Sequence, residues 1–170
     1  MHRYVSLSID GIALTRKCGG MNDIALSKRL VRCPRGTVSS DAGLPLERFD
    51  ADLRPLIAGT ASLAPYLATL IAKEADWLVE AVEAPETALA GILAAPATLD
   101  DATLNAGLRQ GKRRVALLSA LADLGGAWSL EEVTGALTDY AGAAAHAALR
   151  VAVAAQIKRG KLPGLSAEDA

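Results

Sequence analysis

LRQGKRRVALLSALADLGGAWSLEEVTGALTDYAGAAAHAALRVAVAAQIKRG, residues 108–160, decides how this chain folds. Two apolar repeats at helical spacing flank a Gly-Gly pair. In the first, Leu104, Leu108, Val115, Leu118 and Leu121 (with Ala122) recur at three-, four- and seven-residue steps. Gly125-Gly126 predicts the helix end, because glycine enters the left-handed conformation at C′ without a Cβ penalty. The next start is marked as clearly. Ser129 stands at an N-cap, Glu132 completes a capping box, and Trp128 is placed to staple onto Val133. Such signals are worth roughly 1–2 kcal/mol.

The second helix is expected to run to Arg159 along a seam of Leu130, Val133, Leu137, Tyr140, Ala144, Ala147, Val151 and Ala154. These steps alternate threes and fours, the spacing of a coiled-coil-like antiparallel contact. Lys158 and Arg159 suit the negative end of the helix dipole, Gly160 suits C′, and Pro163 blocks continuation. Gly107 and Gly111 each cost about 1 kcal/mol relative to Ala inside a helix. Their four-residue spacing puts both on one face, where a close backbone approach would be the usual compensation. The expected fold is all-α: a helical bundle built on a long antiparallel αα-hairpin, with an irregular N-terminal arm.

Upstream, SLAPYLATLIAKEADWLVEAVEAPETALAGILAA places Leu63, Leu67, Leu70, Ile71, Trp77 and Leu78 at helical separations. Pro65 fits a first helical turn, Pro85 marks a break before a short helix ETALAGIL, and Pro96 ends that helix. Residues 1–50 show no sustained period, apart from a short helix around ALSKRL at 25–30. Met21 is a second candidate start. These signals divide the chain into an irregular basic arm at 1–50, a helical domain at 51–163 and a tail at 164–170.

Composition narrows the function classes. Six aromatics in 170 residues, with an apolar half dominated by Ala and Leu, favour close-packed helices over a β-sandwich. The net charge of −1 gives no general reason to expect binding to nucleic acid or an anionic membrane. The balance is uneven, however. Residues 1–40 carry seven Lys/Arg against two Asp/Glu, and residues 41–170 eleven against seventeen, so a basic arm precedes an acidic body. A disordered tail is the simplest reading of that arm. Cys18 and Cys33 make no CxxC pair and, with His2 and His146 far apart, no zinc spacing, which suits a reducing cytoplasm. Asp10 and Gly11 split the only apolar run near the start, so no secretory signal is expected.

Arg109, Lys112, Arg113 and Arg114 put four cations into six residues. The stretch from Gly107 to Arg113 is one residue short of a phosphate loop. It also has Arg113 where a hydroxyl is needed, and lies mid-helix, where N–H groups are already bonded. A helix-turn-helix fares no better, because Glu131 and Glu132 would meet the phosphates first. His146 has no second ligand at helical spacing, and Asp100-Asp101 and Glu131-Glu132 read as helix-start carboxylates. The basic cluster is therefore a solvated face or a contact with an acidic partner surface.

The string LRQGKRRVALLSALADLGGAWSLEEVTGALTDYAGAAAHAALR resembles a stretch of the bifunctional glutamine synthetase adenylyltransferase/deadenylyltransferase family, in particular its α-proteobacterial forms. That stretch precedes the family's first nucleotidyltransferase domain. The resemblance rests on KRR (112–114), ALADLGG (120–126), Trp128 with LEEVT (130–134), and ALR (148–150). APYLATLIAKEADWL (64–78) is similar to a helix of that family, and RGKLPG (159–164) to its link into the catalytic domain. The resemblance spans about residues 60–164 and implies AMP transfer to and from a tyrosine of glutamine synthetase. It also implies ATP and Mg²⁺ as cofactors of the longer protein, and glutamine synthetase, PII signalling protein and a nucleotidyltransferase domain as partners. The catalysis of that family resides in a Ser-Asp-x-Asp signature, where paired aspartates hold the metal. This sequence has no such signature, so no catalytic, cofactor-binding or metal residue is assigned within it. The alternative is a self-contained helical interaction module. A missing domain is expected to leave an exposed apolar strip on the long helices.

Overall fold

The computed structural model describes residues 23–36, 44–162 and 164–166, together with the backbone of the pairs 8–9 and 12–13. Six α-helices form the body: α1 (Arg54–Leu63), α2 (Pro65–Lys73), α3 (Ala75–Ala81), α4 (Pro85–Ala94), α5 (Leu104–Leu124) and α6 (Leu130–Lys158). The all-α expectation holds. The one β pairing among the described residues is a two-residue antiparallel ladder, Ser8 opposite Ala13 and Ile9 opposite Ile12.

The hairpin of α5 and α6 forms as its signals require. Gly126 takes φ +70°, and the N–H groups of Gly126 and Ala127 donate to the carbonyls of Asp123 and Ala122. That is a Schellman closure. Ser129 and Glu132 then close a reciprocal capping box, Ser129 N–H to Glu132 Oε2 at 2.7 Å and Glu132 N–H to Ser129 Oγ at 3.2 Å. Gly160, at φ +68°, ends α6 in the same way as Gly126 ends α5. The antiparallel pairing is fixed by long-range contacts. Tyr140 Oη donates to the Leu108 carbonyl at 2.6 Å, and Arg150 donates to the carbonyls of Ala97 and Leu99.

Gly111 explains its own cost. A Cβ there would lie 2.5 Å from Tyr140 Oη, so the tyrosine ring occupies the space that glycine leaves. Gly107 admits Leu99 in the same manner, so at both glycines a side chain, and not the expected backbone, makes the close approach.

Two parts of the helix reading need correction. The buried line of α6 runs through Ala136, Tyr140, Ala147 and Val151, with Val133 and Ala144 partly buried, whereas Leu130 and Leu137 are 72% and 42% exposed. The three- and four-residue spacing had placed Leu130 and Leu137 on that seam. A helix approached closely by its neighbour selects alanine instead. Upstream, the single apolar stripe divides at Glu74 into α2 and α3, and Leu63 is exposed. A further helix, α1, precedes them, started by Pro55 and burying Leu56, Ile57 and Thr60.

The arm is not a tail over residues 23–36. Leu26 sits wholly inside the core beside Leu53, Leu56, Ile57, Leu78 and Leu118, and its N–H donates to the Val82 carbonyl at 2.7 Å. The short helix expected near 25–30 is a 3₁₀ turn, Leu26–Arg29. At one end of this segment, Asp23 accepts the Thr87 N–H in the first turn of α4. At the other, Arg32 donates to the Asp123 and Leu124 carbonyls, while Gly125 O accepts from the N–H groups of Val31 and Arg32. An acid at a helix N-terminus and a base at a C-terminus both match the dipole. The basic arm thus discharges onto the acidic body, and Arg29 completes the match by pairing with Glu86.

Candidate functional site

Helical periodicity divides the basic cluster of α5. Arg113 and Arg114 turn toward α2 and α3, while Arg109 and Lys112 are exposed. The division is made by Glu74, which lies between α2 and α3 with its side chain only 5% exposed. Arg113 Nε donates to Glu74 Oε1 at 2.7 Å, and Arg114 Nε donates to Oε2 at 3.0 Å. The Arg114 guanidinium also lies over the Trp77 ring, 4.9 Å from its centroid, an attractive cation–π geometry.

Burial alone would raise the Glu74 carboxyl. The hydrogen bonds and positive charge of Arg113 and Arg114 outweigh it and hold the group below its ordinary value of 4.5. Two guanidinium groups share one carboxylate, so this corner keeps a surplus positive charge. Arg109 and Lys112 extend that charge outward along α5. The arrangement can attract an acidic surface, and its one carboxylate, Glu74, is engaged by both Arg113 and Arg114.

Sequence reasoning named the four cations, read Trp77 only as part of an apolar stripe, and missed Glu74. A signal was present: Glu74 stands three residues after Ile71 and four before Leu78, both buried. An acid in that apolar phase requires a cationic partner.

A second surface lies on α6. Leu130, Leu137 and Leu149 are exposed there, with Ala141, Ala145 and Ala152 exposed among them. Asp139 is the only Asp, Glu, Lys or Arg between Val133 and Leu149. His146 is exposed on the same helix. Among the described residues no three His, Cys, Asp or Glu side chains are grouped so as to hold a metal ion. An open hollow lined by Leu44, Ala61, Pro65, Ala68, Thr69 and Lys73 offers mostly hydrocarbon walls. No described helix is long and apolar enough to cross a membrane.

Tyr140 ties the two surfaces together. Burial pushes its phenol above the ordinary value, against a smaller opposing effect of a backbone hydrogen bond, so it remains a donor to α5 at neutral pH.

Comparison with known proteins places these surfaces in a family. The bifunctional glutamine synthetase adenylyltransferase/adenylyl-removing enzyme of Caulobacter vibrioides is 36% identical over 153 residues, covering 85% of this chain and 15% of that enzyme. The enzymes of the same description from Bradyrhizobium diazoefficiens and Rhodopseudomonas palustris strain TIE-1 are 37% and 36% identical over 115 and 130 residues. Those matches cover 64% and 72% of this chain but only 12% and 13% of the relatives. No solved structure is significantly similar. The chain therefore spans about one seventh of the length of the relatives it matches. The family profile described as glutamate-ammonia ligase adenylyltransferase matches residues 51–170, and the chain belongs to that family.

Proposed function

We propose that this chain is the helical segment of a glutamine synthetase adenylyltransferase/adenylyl-removing enzyme, and that it positions a nucleotidyltransferase domain without carrying out the chemistry. The observation that carries this reading is the extent of the match: nearly all of the helical body aligns with a small share of each relative. The absence of a Ser-Asp-x-Asp signature in the sequence supports it. ATP and Mg²⁺ would belong to the domain the segment serves, where the metal would stabilise phosphate charge, and no residue of this chain is assigned to hold either. The partners are that domain, glutamine synthetase and a PII signalling protein, and the setting is the cytoplasm.

The contact we assign to the partner domain is the basic corner of α5. Arg109 and Lys112 meet an acidic surface, and Arg113 and Arg114, anchored on Glu74, keep the corner positive and rigid. The α5–α6 hairpin acts as the stiff element that holds this corner at a fixed distance from the chain's other surfaces. A self-contained interaction module is the second reading, favoured by the uncharged face of α6.

The test is an assay of AMP transfer to and from glutamine synthetase with the 170-residue chain, ATP, Mg²⁺ and phosphate. The expected outcome is no turnover above background. Robust turnover would show that the chemistry lies in this chain and would end the positioning role.

A further inference from the structure

We infer that the helical body carries a groove for an extended basic segment, and that residues 23–36 lie in it as a strap that opens as a unit while the helices stay folded. The inference is independent of the positioning role proposed above. The groove is written into the body's own sequence. Gly59 stands inside α1, where glycine costs stability relative to alanine. A Cβ there would overlap the Pro34 carbonyl oxygen and lie 3.1 Å from the Pro34 carbonyl carbon, so the backbone of the strap fills the space that Gly59 leaves. At the α5–α6 turn, a Cβ on Gly125 would lie 2.7 Å from Leu30 Cδ2. Both positions are shaped for this occupant.

The chemistry of the groove matches a basic segment. Residues 23–36 hold Lys28, Arg29, Arg32 and Arg35 against one acid, Asp23. The body meets them with the carboxylates of Asp52, Glu86 and Asp123. It adds the carbonyls of Asp123, Leu124, Gly125 and Ala127, at and just past the end of α5. Those carbonyls lie at the negative end of the helix dipole, where cations are favoured. Leu26 is the apolar anchor, wholly buried in the core with Leu53, Leu56 and Leu118.

The same contacts explain why the strap opens before the body. Leu26 and Ser27 are its only buried residues. Lys28 and Asp52 are each 64% exposed, and such ion pairs return little of the backbone entropy that ordering costs. Ser27 Oγ is buried without a hydrogen-bond partner among the described residues, which weakens the docked state further. A segment held by one leucine and its charges opens at a lower free energy than the whole domain. Opening also releases the Thr87 N–H. That group lies in the first turn of α4, where no carbonyl of the same helix can accept it, and Asp23 Oδ1 accepts it instead.

Hydrogen exchange of the 170-residue chain, followed residue by residue by NMR, tests this. The N–H groups of Leu26, Val31, Arg32 and Thr87 are expected to share one protection factor, about a hundredfold below that of Leu118 in α5. Protection of these four equal to that of Leu118 overturns the strap, and so do four unrelated protection factors. Gly59→Ala fills the groove while adding a better helix former. It is expected to lower the shared protection about tenfold with helical circular dichroism retained, whereas Gly91→Ala, in open space on α4, leaves it unchanged. Unchanged protection in Gly59→Ala overturns the groove. Arg32→Ala, at a side chain 64% exposed, keeps the test open should Gly59→Ala fail to fold. It is expected to lower protection at Leu26 and Thr87 severalfold, and a loss confined to Val31 and the substituted position overturns opening as a unit. A synthetic peptide of residues 23–36 tests the groove from outside. At about 1 mM, the effective concentration of a short tether, it is expected to raise Thr87 protection in the Leu26→Ala chain. The same peptide carrying Leu26→Ala is expected to have no effect. No protection by the parent peptide overturns the groove as a binding site.

Discussion

Glu74 shows how one side chain can set the character of a surface. Its carboxylate satisfies the Nε groups of two arginines at once, so replacing it affects three elements, α2, α3 and α5. Glu74→Gln keeps the shape but turns an amide N–H₂ toward one guanidinium. The expected loss is about 2 kcal/mol in urea unfolding at pH 7, in the range of hydrogen bonds to charged groups. Its pH dependence follows from the sign of the shift. The folded carboxyl ionises below 4.5, so its contribution is complete above that value and fades as pH falls through the lower folded value. The gap between parent and variant should therefore close in acid. A gap independent of pH would show that the ion pair is not its source. At Gly111, substitution by Ala should destabilise by more than helix propensity could return, because Tyr140 Oη already occupies the Cβ site. Equal or greater stability of that variant, measured the same way, would contradict the close approach. The glycine pair was legible in the sequence as a cost needing a reason. The reason was not, since it depends on which side chain arrives opposite, Tyr140 of α6 at Gly111 and Leu99 at Gly107.

Among the elements, α6 was read most fully at its ends and least well along its length. Caps are local, formed by side chains within three or four residues, and so Ser129, Glu132 and Gly160 are visible in the sequence. The phase of the buried line is not local. It is set by where α5 approaches, and that approach favours Ala136 and Ala147 over Leu130 and Leu137. Ser129→Ala should cost about 1 kcal/mol, the usual worth of such a cap. The arm is the clearest case of tertiary structure overriding composition. Scattered Gly, Pro and Arg without a period gave a solvated tail, yet Asp23 and Arg32 serve helix ends more than 60 residues away. Leu26 fills the core between them. Leu26→Ala should cost about 2–4 kcal/mol, as expected for a fully buried leucine. A change below 0.5 kcal/mol in the same unfolding experiment would mean that the arm is dispensable to the core.

At the scale of the whole molecule, the fold class and the family were both legible, because a helical hairpin with strong caps is also a long ordered motif. The cation cluster was legible as charge but not as architecture, since only the folded chain brings Glu74 beneath Arg113 and Arg114. In the function proposed above, this chain is a rigid helical body that presents a basic corner to a catalytic domain and does no chemistry itself. Its most direct test is AMP transfer from adenylylated glutamine synthetase to phosphate by a C. vibrioides enzyme lacking its matching segment, with and without this chain added in trans. The expected outcome is no transfer by the chain alone, restored transfer when both parts are mixed, and weaker restoration with Arg109→Glu and Lys112→Glu together. Transfer by the chain alone, or no restoration by a folded chain, would contradict it.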